Sequence, residues 1–423
     1  MLDMQDRLDE LKGLGLYRRM RMVSGPQGPR VVLDGKPVLL LCSNNYLGLA
    51  DHPRVREAAA DAAMRWGAGA GASRLVSGNM TLHRRLEERI AAFKGTQAAL
   101  LFGSGYLANL GIVPALARRG EIVFSDELNH ASIVDGCRLS GAEPFVYRHC
   151  DVEHLEWGLR NADARGALIV TDGVFSMDGD VAPLEDIVEL AQRHDVRVMV
   201  DDAHGTGTLG AGGRGTVAEA GLEGEVDVIV GTLGKALGSY GAFAACDHAV
   251  ARYLVNSARS LIFSTGLPPA AAAAAMAALE LLVEQPRRVE RLADNAATLR
   301  SGLAREGFDV SGSQTQIVPL IVGDAELAMR ICEAALEEGV FAQAIRPPTV
   351  PEGTSRLRLA VMASHTRGEL RDAARILAQA ALRNGFRPSS SVPVAAAQTA
   401  APAPAGRLRV FDGDAEEPLP KAA

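Results

Sequence analysis

One lysine of this chain stands where lysines are rare. Val228-Ile229-Val230-Gly231-Thr232-Leu233-Gly234-Lys235-Ala236-Leu237-Gly238 is an apolar, β-branched run that ends in a hydroxyl and an amine flanked by glycines. Most lysines are solvated surface groups. An amine held in an apolar stretch directly after a core strand loses solvation and basicity, which is what Schiff-base chemistry requires. Lys36 and Lys94 are expected in solvent instead, the first by a turn and the second at a helix end.

A second buried run, Val198-Met199-Val200, ends in Asp201-Asp202-Ala203-His204-Gly205. Ligands of open α/β sheets bind beyond the carboxyl ends of the strands, and a carboxylate there suits a buried cation such as a protonated pyridine nitrogen. Two aspartates that merely cap a loop explain the pattern equally well. Gly103-Ser104-Gly105-Tyr106 follows the strand Ala98 to Phe102 and opens a helical stretch, 106–118. Free N–H groups at a helix start hold phosphate. The pattern is neither a Walker loop nor a dinucleotide fingerprint, and a tight turn is its plainer reading. His130, in Asn129-His130-Ala131-Ser132, could stack on a flat ring or simply begin a helix. Ser176, in Asp172 to Asp180, could bond a cofactor oxygen or serve a turn. Taken together, Gly105, His130, Ser176, His204 and Lys235 all fall just after expected strands, on one rim of one sheet. A phosphate cradle, a stacking ring, a carboxylate and a buried amine are the set that pyridoxal phosphate needs.

The elements that must position these residues follow from hydrophobic period. Val31 to Leu33, Asp34-Gly35 and Val38 to Leu41 read as a hairpin. Helical periodicity covers 1–14, 54–66, 81–93, 151–160 and 184–193, with short apolar runs at 97–102, 121–124, 143–147, 167–171, 196–200, 226–230 and 241–245. That alternation predicts an α/β fold, with a mostly parallel seven-stranded sheet flanked by helices. One long helical region is expected over 268–305. Strands at 316–322, 340–345 and 357–361 with helices at 324–338 and 367–384 then predict a small α+β domain. The expected division is a segment 1–50, a large domain 51–285, a small domain 286–386, and a disordered Ala/Pro-rich tail 387–423. The net charge of −7 disfavours nucleic acid and anionic membranes as partners. Five scattered cysteines, no metal-ligand spacing and an acidic N-terminus without an apolar run suggest a cytoplasmic protein without a structural metal.

Ser43-Asn44-Asn45-Tyr46-Leu47-Gly48-Leu49, Gly103 to Tyr106, Asn129 to Ser132, Asp172 to Asp180, Asp201 to Gly207 and Thr232 to Lys235 recur in an order that resembles the α-oxoamine synthases. These are fold-type-I pyridoxal-phosphate transferases that join an amino acid to an acyl thioester. The resemblance covers about residues 1–385 and leaves the tail without a counterpart. It implies that Lys235 carries the cofactor as a Schiff base and moves the Cα proton, that Asp201 pairs with the pyridine nitrogen, and that His130 stacks on the ring. Ser176 and His204 would bond the ring oxygen side, Gly105 and Tyr106 would line the cofactor site, and Thr232 would lie at the phosphate, helped by a partner subunit of a homodimer. Asn44 and His130 would face the substrate, Arg346 would grip the amino-acid carboxylate, and Thr349 would lie beside it. Arg18 would meet the acyl substrate, with Arg19 and Arg21 as near alternatives. Ala344-Ile345-Arg346-Pro347-Pro348-Thr349-Val350-Pro351 resembles the biotin-forming branch, which implies L-alanine and a pimeloyl thioester, on CoA or an acyl carrier protein, as substrates. The alternatives are a glycine-using branch with another acyl-CoA, an aminotransferase, and a cofactor-fold binding module without activity.

Overall fold

The computed structural model describes residues 3–162 and 165–387. The tail expected over 387–423 lies, from residue 388 onward, outside the described residues. After a helix at Met4–Gly13, the chain forms β1 (Val23–Ser24), β2 (Arg30–Leu33) and β3 (Lys36–Leu40). The β2–β3 turn is Asp34-Gly35, both at positive φ (+48° and +82°). That twist matches the right-handed twist of the flanking strands, which is why Asp-Gly closes so short a hairpin.

The central sheet uses β4 (Ala98–Phe102), β5 (Glu121–Asp126), β6 (Glu143–Tyr147), β7 (Arg165–Asp172), β8 (Arg197–Asp201), β9 (Val228–Thr232) and β10 (Ala242–Cys246). Their order is β4-β10-β9-β8-β7-β5-β6, with β10 antiparallel to both neighbours and the remaining pairs parallel. Runs such as Val228-Ile229-Val230 are buried throughout because helices cover both faces of the sheet. One face packs against the helices Thr81–Lys94 and Leu184–His194; the Ala-rich helix Pro269–Glu284 packs on Thr81–Lys94 and on Pro53–Trp66, its small side chains allowing a close approach. The other face packs against Gly105–Leu116 and Ala131–Ser140.

Two expectations change in the C-terminal third. The helical region over 268–305 is two helices, Pro269–Glu284 and Arg287–Arg305, because Pro286 has no N–H to continue the first ladder. The strand expected over 340–345 is split at Ala342. β12 (Val340–Phe341) pairs in parallel with β3, whereas β13 (Gln343–Ile345) pairs with β14 (Ser355–Ala360). With β11 (Ile317–Gly323), the last two form a three-stranded antiparallel sheet in the order β11-β14-β13. The N-terminal hairpin is therefore hydrogen-bonded to the C-terminal part of the chain. Among the described residues, no helix is long and apolar enough to cross a membrane.

Candidate active site

Parallel strands end on the same rim, and the site lies there. Lys235 follows β9, and its Nζ lies 2.7 Å from Nε2 of His204. Burial pulls this amine down from its ordinary 10.5 to about 8, against the attraction of Asp201 and Asp172. His204 is buried, and its Nδ1 lies 2.6 Å from the Tyr46 hydroxyl. Burial and the nearby Lys235 charge hold this imidazole well below its usual range, so it is neutral.

Asp201 ends β8 and is buried. Its Oδ2 accepts from Asn109 Nδ2 at 2.7 Å, and its Oδ1 accepts from the backbone N–H of Ala203 at 3.1 Å. Asn109 also donates to Ser132 Oγ at 2.8 Å. Among the described residues, no ion pair joins Asp201 to a basic side chain. Asp172, at the end of β7, accepts at Oδ2 from the backbone N–H of His130 at 2.7 Å. Burial and the like charge of Asp201 push the Asp172 carboxyl well above its ordinary value.

The remaining rim residues arrive from helix starts and turns. Ser104 caps the helix that begins at Gly105, accepting from Leu107 N at 3.2 Å and leaving the first N–H groups of that helix at the rim. The Tyr106 hydroxyl donates to Asp135, and its ring meets His130 edge-on, centroids 6.4 Å apart. Thr232 accepts from Gly234 N and donates to Gly241 O, both at 3.1 Å. Ser176 is half-buried, in a loop whose backbone carbonyl takes the Nε–H of Arg358.

A buried carboxylate without a cation, an amine near pKa 8 and free N–H groups at a helix start are the donor set a phosphorylated pyridine aldehyde requires. These residues fit pyridoxal phosphate. The structure brings Asn44 into the same network through Tyr46, whose hydroxyl donates to Asn44 Oδ1 at 3.0 Å. Arg346, Thr349 and Arg18 are not hydrogen-bonded to this cluster. Arg346 donates to the carbonyl of Gly15, and the Thr349 N–H donates to the carbonyl of Arg346. Arg21 is committed to Glu333 and Asp34 and stacks over Phe341; Arg18 and Arg19 are exposed.

Sequence reasoning missed three residues. Asn109 is a lone amide in an otherwise apolar helix, and that contrast was its signal. Arg358 is buried on β14, has no carboxylate partner among the described residues, and donates to Ser176 O, Asn44 Oδ1 and the Tyr46 hydroxyl. Lys94, expected in solvent, is buried instead. Its Nζ donates to Asp202 Oδ2 at 2.7 Å, Thr206 Oγ1 at 2.8 Å and Arg214 O at 2.6 Å, behind the turn that carries His204. The aliphatic stem reaches inward from the helix end, and Asp202 supplies the countercharge that makes burial tolerable.

The chain belongs to the aminotransferase class I and II family, whose model matches residues 36–377. Its relatives place it among the 8-amino-7-oxononanoate synthases. It is 56% identical over 384 residues to that enzyme of Citrifermentans bemidjiense, covering 90% of this chain and 98% of the relative. It is 57% identical over 377 residues to that of Geobacter metallireducens, covering 88% and 96%. Among solved structures, the serine palmitoyltransferase of Sphingomonas wittichii superposes with a TM-score of 0.86 at 32% identity, covering 91% of this chain and 99% of the other. The serine palmitoyltransferase of S. paucimobilis with a bound PLP–myriocin aldimine gives 0.85 at 34%, covering 90% and 97%. An 8-amino-7-oxononanoate synthase from Francisella tularensis gives 0.71 at 26%, covering 82% and 98%.

Proposed function

We propose that this enzyme condenses L-alanine with a pimeloyl thioester, releasing carbon dioxide and the free thiol carrier and giving 8-amino-7-oxononanoate for biotin synthesis. The identity of more than half of all positions to enzymes of that name supports the branch. The observation that carries the chemistry is the Lys235 amine, near pKa 8 and 2.7 Å from a neutral His204.

Pyridoxal phosphate supplies, when bound, an electron sink for the negative charge left at the amino-acid Cα. Lys235 is its attachment point and the base that moves the Cα proton, since an amine near pKa 8 is partly unprotonated at neutral pH. Asp201 holds a proton on the pyridine nitrogen, and Asn109 and Ala203 N–H keep that carboxylate in place. His204 and Ser176 serve the ring oxygen, His130 covers the ring face, and the helix start at Gly105 and Tyr106 with Thr232 serves the phosphate. We assign the alanine carboxylate to Arg358, a buried guanidinium that pairs with no acid among the described residues, with Asn44 beside it. Arg346, Thr349 and Arg18 stay as outer substrate contacts around the N-terminal segment, Arg18 for the acyl chain. A homodimer working in the cytoplasm completes the reading, its Gly67 to Gly78 loop at the subunit boundary.

The direct test is a mass-spectrometric product assay with alanine and pimeloyl-CoA. Formation of 8-amino-7-oxononanoate supports the proposal. Turnover only with glycine and another acyl thioester assigns a different branch.

A further inference from the structure

The His149 ring sits between two carboxylates on separate elements. Nδ1 lies 3.0 Å from Oδ1 of Asp126, the last residue of β5, and Nε2 lies 2.7 Å from Oδ2 of Asp180, in the loop after β7. The ring stands edge-on to Phe175, centroids 4.3 Å apart at 89°. Asp126 also accepts from Leu128 N at 2.9 Å and Cys150 N at 2.8 Å, so its carboxylate cannot swing away freely.

These contacts join two loops of the site. Asp126 opens the turn that leads to His130. Phe175 and Asp180 flank Ser176 in a loop closed by the Val174–Val181 bridge. From the other side, the same loop is tied to the C-terminal part of the chain. Arg356 pairs with Asp178, Arg358 donates to Ser176 O, and Thr315 Oγ1 donates to Gly179 O at 3.0 Å. Without His149, the Ser176 loop would keep those ties, and the bond from His130 N–H to Asp172 at its base, but lose the side-chain link from Asp180 to Asp126.

With an acceptor at each nitrogen, the ring carries both hydrogens and a positive charge. The titratable groups facing it are Asp126, Asp180 and Cys150, whose Sγ lies 3.7 Å from both nitrogens; Glu127 accepts the His149 backbone N–H at 2.9 Å. Burial opposes the charge, but hydrogen bonds to Asp126 and Asp180 outweigh it and push the imidazole up to about 12.

We propose that His149 is a positioning residue, a charged clamp that fixes the Ser176 loop against the His130 turn and thereby sets the affinity for pyridoxal phosphate. The proposal rests on the reading that Ser176 and His130 face that cofactor. The test measures pyridoxal-phosphate dissociation constants by absorbance for the parent, His149→Gln, Asp180→Asn and the double variant, with melting of the cofactor-free proteins alongside. Each single change should weaken binding by about tenfold or more, as outer-shell partners do. The double variant should be no weaker than the worse single by more than about twofold, because both changes break one unit. Cofactor-free Asp180→Asn should melt close to the parent, since Asp126 keeps its cation and the ties to the C-terminal part of the chain remain; His149→Gln, which leaves the buried Asp126 carboxylate without that cation, should melt lower. Single effects below about threefold, or effects that multiply in the double variant, would overturn the clamp. Should His149→Gln fail to fold, Asp180→Asn alone decides by the same thresholds. A parent protein that does not bind pyridoxal phosphate would instead sink the proposed function.

Discussion

The Lys235 amine and His204 Nε2 meet at 2.7 Å, and the hydrogens of that contact are fixed from the far side of the ring. The Tyr46 hydroxyl spends its one hydrogen on Asn44 Oδ1, which also accepts from Arg358 Nη1 at 3.3 Å. Nδ1 of His204 therefore donates to the Tyr46 oxygen at 2.6 Å, and Nε2 presents its lone pair to Lys235. The neutral imidazole orients the amine without holding an extra proton against it.

The pH dependence of cofactor capture follows. A lysine attacks an aldehyde only as the free base. Its folded-state value of about 8 lies below the ordinary 10.5, so the reactive form accumulates as pH rises through about 8. Stopped-flow mixing of cofactor-free protein with pyridoxal phosphate should give a capture rate that climbs to a plateau with a midpoint near 8. A midpoint near 10.5 would mean that the amine is solvated.

The carboxylate assignment separates two arginines. A planar fork binds a carboxylate through two parallel hydrogen bonds, which lysine cannot reproduce. Arg358→Lys should weaken alanine binding at least about tenfold, roughly 1.4 kcal/mol, with cofactor absorbance retained. Arg346→Lys should weaken it less, because that guanidinium is engaged with the Gly15 carbonyl. The opposite ranking in alanine titrations would return the carboxylate to Arg346.

Stability should depend on a pair outside the proposed chemistry. The Lys94 and Asp202 side chains are 1% and 0% exposed. Lys94→Met leaves a buried carboxylate with only its Thr206 and Thr216 donors. The expected loss is about 3–5 kcal/mol, the usual result of removing one partner of a buried pair. Urea unfolding measures it, and a loss below about 1 kcal/mol would mean water replaces the amine.

These residues also mark where the sequence was readable. The strands of the central sheet were legible because burial on both faces makes each a continuous apolar run, and their carboxyl ends located Asp201, His204 and Lys235. Lys94 was not, because Phe93-Lys94-Gly95 has the form of a solvated helix end and its partner lies 108 residues away. Arg356 and Arg358 alternate with Leu357 and Leu359 in the manner of a strand with one wet face; only the packed Ser176 loop shows that face to be covered. The split at Ala342 was equally hidden, since two sheets compete for one short apolar run and the hairpin that claims its first half lies some 300 residues earlier.

The account depends most on Lys235 as the attachment point. An imine of pyridoxal phosphate absorbs visible light, and borohydride reduces it to a stable bond. Purified protein should be yellow, lose that absorption on borohydride treatment, and give one labelled peptide on mapping. We expect the label on Lys235 and none on Lys94, whose amine is already held by Asp202, Thr206 and Arg214. A label on any other lysine, or no covalent label in protein that turns over alanine, would contradict the assignment of the site.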